Sequence, residues 1–70
     1  MILKGIALSL RGYHVRVEKR DPQDGHRFLK IYAVVLGDPI DGVVKSYHSK
    51  FSGAYNQLMD NLGDKRRIDE

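Results

Sequence analysis

The five-residue pattern Asp-Pro-x-Asp-Gly occurs twice, as Asp21-Pro22-Gln23-Asp24-Gly25 and as Asp38-Pro39-Ile40-Asp41-Gly42, and nothing else in the chain repeats as clearly. Proline presets φ at the second position of a tight turn, aspartate hydrogen-bonds the backbone just ahead of it, and glycine tolerates φ > 0. The two copies begin 17 residues apart and bracket Arg27 to Leu36, a run rich in β-branched and aromatic side chains. That spacing predicts one long strand with a reversal at each end. It also predicts a left-handed φ at or beside Gly25 and Gly42.

Ahead of this strand the apolar residues alternate. Ile6, Leu8 and Leu10 are spaced two apart, and so are Tyr13, Val15 and Val17, but the parity changes across Arg11-Gly12. Two arrangements accommodate the change. A two-residue hairpin would set Leu10 opposite Tyr13, Leu8 opposite Val15 and Ile6 opposite Val17, all on one face. A bulge at Gly12 inside one bent strand shifts parity equally. The hairpin is favoured, although Arg-Gly is a weaker turn signal than Asn-Gly. In the strand between the two repeats, Leu29, Ile31, Ala33 and Val35 make one face and Phe28, Lys30, Tyr32 and Val34 the other. The first set holds no charge and is the expected core face. Val43 to His48 reads as a shorter last strand.

Phe51, Ala54, Tyr55, Leu58, Met59 and Leu62 then recur at helical period in one stripe. Ser49 is the expected N-cap, Gly63 suits the position after the last turn, and Gly53 in the first turns costs about 1 kcal/mol relative to alanine. The expected architecture is α+β: an antiparallel meander of three or four strands with one C-terminal helix packed on one face. It is a single domain over residues 1–63, followed by a charged tail over residues 64–70 that frays. The expected core is Leu8, Val15, Val17, Leu29, Ile31, Ala33, Tyr55, Leu58, Met59 and Leu62.

Seventy residues with 41% apolar content lie near the lower limit for a self-sufficient core, so a homodimer would be a natural supplement. There is no cysteine, which excludes disulfides and Cys/His zinc patterns and suits a reducing compartment. The apolar start Met-Ile-Leu is too short for a signal peptide, and no apolar run approaches the ~20 residues of a membrane helix. A soluble cytoplasmic protein with no membrane association is expected.

The chemistry is sparse. Net charge is +3, and residues 1–20 hold Lys4, Arg11, Arg16, Lys19 and Arg20 against Glu18 alone, a local +4. The turn aspartates do not follow the Ca²⁺-loop pattern, since Gln23 or Ile40 stands at position 3 and Tyr32 or Ser49 at position 12. His14, His26 and His48 show no ligand spacing, and no serine sits in a nucleophile elbow. No metal, cofactor or catalytic residue is expected, and the chain reads as a non-enzyme. One constellation carries a functional expectation. His14, Arg16, Arg20, Phe28, Lys30 and Tyr32 are expected to project together from the uncovered sheet face, and aromatics flanked by Lys and Arg are what single-strand readers use. Nucleic-acid binding through that face is therefore the first reading. The alternative is a protein-interaction or inhibitor module using the same face, possibly as a homodimer.

Overall fold

A computed structural model describes residues 2–20 and 29–69, with the backbone alone at Ile2, Leu3, Arg20 and Leu29. The first Asp-Pro-x-Asp-Gly repeat, with His26, Arg27 and Phe28, lies outside the described residues. Four strands, β1 (Ile2–Leu10), β2 (Tyr13–Arg20), β3 (Leu29–Leu36) and β4 (Val43–His48), precede one helix, α1 (Phe51–Leu62). The strands form one antiparallel sheet in chain order, and α1 packs across β2, β3 and β4 on one face. This is the expected α+β meander.

Arg11-Gly12 is a hairpin turn, with φ of 51° and 84° at its two residues. Positive φ at both central positions matches the twist of the flanking strands, which is why two-residue hairpins favour it. Leu10 pairs with Tyr13 and Leu8 with Val15, as expected. Ile6 does not face Val17. The register slips between Ile6 and Leu8, so Ala7 is an extra residue and Gly5 pairs with Val17 instead. The bulge moves Ile6 to the face opposite α1, where it is 54% exposed.

The core face of β3 is the other one from that expected. Val15 pairs with Val34, Val17 with Tyr32 and Tyr13 with Leu36, so the β2 face that meets the helix continues through Tyr32 and Val34. Val15, Val34, Ala54, Leu58 and Met59 are fully buried together, with Leu8, Leu10, Tyr13, Tyr32, Phe51, Tyr55 and Leu62 packed around them. Ile31, Ala33 and Val35 point away from α1, and Leu29 shares their parity. Ala33 and Val35 are nonetheless fully buried.

Lys50, not Ser49, is the N-cap of α1, and no side chain caps it. The extended Lys50 backbone places its carbonyl to accept the Ala54 N–H at 3.3 Å. Gly53 has a packing reason: a Cβ there would lie 3.2 Å from the His48 ring nitrogen Nδ1, so glycine lets α1 close onto β4. Gly63, at φ 74°, ends the helix, its N–H donating to the Asp60 carbonyl while Asp64 N–H donates to that of Met59. The described residues of the tail after it fold back onto α1. Asn56 Nδ2 donates to the Ile68 carbonyl at 3.1 Å, Ile68 N–H donates to Asn56 Oδ1 at 3.0 Å, and Arg67 pairs with Asp60. No helix among the described residues is long and apolar enough to cross a membrane.

Candidate functional site

The six residues expected on one face do not share one. His14 and Arg16 pair with Val35 and Ala33, on the face opposite α1. Lys30 and Tyr32 alternate with those partners and lie on the α1 face. Tyr32 meets Phe51 edge-on, with ring centres 5.9 Å apart, and Lys30 Nζ stands 5.4 Å from the Tyr32 ring centre. Arg20 sits at the end of β2 with Leu29 as its β3 partner, its side chain outside the description, and Phe28 lies outside the described residues. The expected grouping on one face breaks at one step: absence of charge is a poor guide to the core face of β3, because Lys30 lies beyond the helix and its charge never meets the core.

Arg16 is the larger surprise. It is only 4% exposed, as is Glu18. Its Nη1 donates to the carbonyls of Pro39 and Ile40 at 3.0 and 3.1 Å, and its Nη2 lies 3.3 Å from Glu18 Oε1. Among the described residues Arg16 Nε finds no hydrogen-bond partner. The second Asp-Pro-x-Asp-Gly turn therefore folds back over the sheet and is latched there by a guanidinium. The turn holds itself as well. Asp38 Oδ1 accepts the N–H groups of Ile40 and Asp41 at 2.8 and 2.9 Å, and Gly42 N–H donates to the Asp38 carbonyl at 2.7 Å. The backbone donors of Asp41 and Ile40 hold the Asp38 carboxyl below its ordinary range. Gly42 does not have positive φ; that conformation falls on Gly37. Gly42 is required by space instead, since a Cβ would lie 2.4 Å from the carbonyl oxygens of both Leu36 and Asp38.

Two exposed cations meet on the other face. Lys19 pairs directly with Lys30 across β2 and β3, on the α1 face. Both are exposed, and neither makes an ion pair among the described residues. α1 begins at Phe51 beside Tyr32 and ends near the β1–β2 hairpin, where Asp64 lies within electrostatic reach of Arg11. The opposite end of the sheet thus runs past the start of the helix. On this overhang Gly5 stands opposite Val17, and among the described residues no atom beyond Gly5 and its two chain neighbours lies within 4 Å of where a Gly5 side chain would begin. A shallow depression of about 300 Å³ results, lined by Lys4, Gly5, Ile6, Val17 and Lys19. Two lysines facing each other repel, so an anion between them would be favoured twice over. Sequence alternation alone puts Val17, Lys19, Lys30 and Tyr32 on one surface once the β2–β3 register is known; the register is the missing signal.

Ser9 Oγ and His14 Nδ1 share a hydrogen bond at 2.6 Å across the first hairpin. The described residues contain no group of three His, Asp or Glu side chains placed to hold a metal ion. No protein-family model, curated protein or solved structure matches the chain.

Proposed function

We propose that the protein is a small non-enzymatic nucleic-acid-binding module whose contact surface is the sheet overhang carrying Lys19 and Lys30. The observation that carries the reading is the direct pairing of these two exposed lysines, neither ion-paired among the described residues, beside an apolar floor of Gly5 and Val17. Backbone phosphates would sit between the ammonium groups, and a sugar or base edge would rest on the floor. Tyr32 keeps a supporting part: its ring, fixed against Phe51, lies under the Lys30 ammonium. Arg16 has no part in the contact, because it is buried on the opposite face with both Nη groups engaged inside the molecule.

Two or three phosphate contacts on a single strand give a log–log salt slope of about −1.5 to −2. Fluorescence anisotropy with labelled single-stranded DNA and RNA, from about 50 mM salt upward, measures it. Lys19→Glu and Lys30→Glu should each abolish most binding and flatten the slope, while Arg11→Glu, at the far end of the sheet, should leave both nearly unchanged. No binding at the lowest salt, or an equal loss from Arg11→Glu, overturns the reading.

A further inference from the structure

One described glycine lacks a structural reason. Gly12, Gly37 and Gly63 adopt left-handed φ, and Gly42 and Gly53 have neighbours too close for a side chain. Gly5 shares neither condition. Its φ is not left-handed, and it pairs regularly with Val17, short of the bulge at Ala7. Among the described residues no atom beyond its chain neighbours would touch a Cβ there. Glycine weakens a strand interior, so a glycine at a position with room for a side chain calls for another cause. One such cause is a ligand that must lie close to bare backbone.

The surroundings indicate the ligand. Gly5, Val17, Tyr32 and His48 are successive partners across the four strands, on the α1 face. The helix starts over the far end of this rung, with Phe51 against Tyr32 and Gly53 against His48. Towards β1 the rung falls away to the Val17 methyls and the bare Gly5 peptide, and the depression of about 300 Å³ opens there. That volume is at the lower end of ligand-sized clefts, enough for one ring system and too little for a helix or a strand. We propose that this floor seats one unpaired nucleobase, lying flat on Gly5 and Val17, with a phosphate of the same strand between Lys19 and Lys30. The inference rests on the nucleic-acid reading above and narrows it to single strands. Charge ties the two contacts together: Lys19 follows Val17 by two residues, about 7 Å along β2, so the phosphate and base of one nucleotide reach both. Shape excludes a duplex, whose bases are covered on both faces by their stacked neighbours. Gly5 and Val17 carry no polar side chain to read a base edge, so the seat accepts any base, as stacking contacts do.

Gly5→Val is the test, because it fills the seat without removing a cation. It places a β-branched side chain in a strand and displaces no described atom, so the melting temperature should hold or rise by about 4 °C. Fluorescence anisotropy then compares labelled single-stranded DNA with a deoxyribose-phosphate strand of the same length that lacks bases. The unaltered protein should bind the base-bearing strand about tenfold more tightly, the size of effect that one ring face on an apolar floor produces. Gly5→Val should lose that preference and bind both strands alike, with its salt slope on DNA unchanged because no phosphate contact is lost. Gly5→Ala should fall between the two. If Gly5→Val keeps full affinity for DNA while Lys19→Glu loses it, the seat is overturned and the phosphate contact stands. Equal binding of both strands by the unaltered protein has the same meaning. A loss in Gly5→Val that falls equally on both strands, or a lowered melting temperature, also overturns the seat, since the glycine would then serve the lysines or the fold. No binding of either strand at the lowest salt overturns both readings.

Discussion

The two faces of the sheet reach the same degree of burial by opposite chemistry. Towards α1, Val15 and Val34 are covered by Ala54, Leu58 and Met59, with no polar group among them. On the other side, Ala33 and Val35 are equally inaccessible, yet the residues buried beside them are Arg16 and Glu18. One face uses a helix as its lid. The other uses the hydrocarbon stem of an arginine and a five-residue turn that the same arginine holds down. An apolar core tolerates some repacking when a side chain is trimmed. A buried ion pair does not, because removing one partner strands the other.

The largest effect is expected on the helix side. Leu58 is fully buried at the centre of the cluster. Leu58→Ala should cost about 2–5 kcal/mol, by lost transfer energy and by the cavity left behind. A domain of this size has total stability of similar magnitude, so the variant should be largely unfolded at 25 °C by circular dichroism. A cooperative melt close to that of the unaltered protein would mean that α1 is not the lid described.

The opposite face separates packing from charge. Arg16→Ala should cost about 3 kcal/mol in urea denaturation, since it takes the guanidinium away from the buried Glu18 carboxylate and frees the turn. Arg16→Met combined with Glu18→Leu should recover most of that loss, because the pair is then replaced by apolar groups of similar volume. If the double variant is no better than Arg16→Ala, the two turn carbonyls, and not the ion pair, are what the face depends on.

The same contrast separates what is legible in the chain from what is not. The strands and the helix announce themselves, because a period of two, or six apolar residues in a stripe at helical spacing, is compatible with little else. The parity change across Arg11-Gly12 marks a hairpin or a bulge there, and the pairing of Leu10 with Tyr13 decides for the hairpin. The bulge at Ala7 leaves no such mark, since it holds neither glycine nor proline and alanine fits either face. The core face of β3 is hidden because both of its faces are apolar, Leu29, Ile31, Ala33 and Val35 against Tyr32 and Val34. Local pattern cannot choose between them; only the register against β2 does, where Val15 meets Val34. The burial of Arg16 is hidden for a longer-range reason. It comes from a turn 23 residues away in the chain, and a charge inside a strand reads as exposed until something folds over it.

The smallest effect concerns how that turn holds itself. Asp38 carries its charge against the N–H groups of Ile40 and Asp41, which favour the carboxylate over the acid, so its pKa in the folded protein lies below the ordinary value of 3.8. A group whose pKa is depressed by folding contributes stability above its unfolded pKa and loses it as pH falls through the folded one. The contribution is thus complete near neutrality and fades below about pH 4. Asp64 titrates in the same direction, held down chiefly by the Arg66 side chain, so the stability curve of the unaltered protein cannot isolate Asp38. The difference from Asp38→Asn can. Asparagine keeps an oxygen able to accept both N–H groups and removes only the charge. The unaltered protein should be slightly the more stable at pH 6, and the two denaturation midpoints should converge as pH drops below the ordinary carboxylate range. A gap that stays constant down to the lowest pH would mean that the aspartate acts through its shape alone. A gap that widens on acidification would reverse the sign of the linkage and would place the protonated acid, not the carboxylate, at the head of the turn.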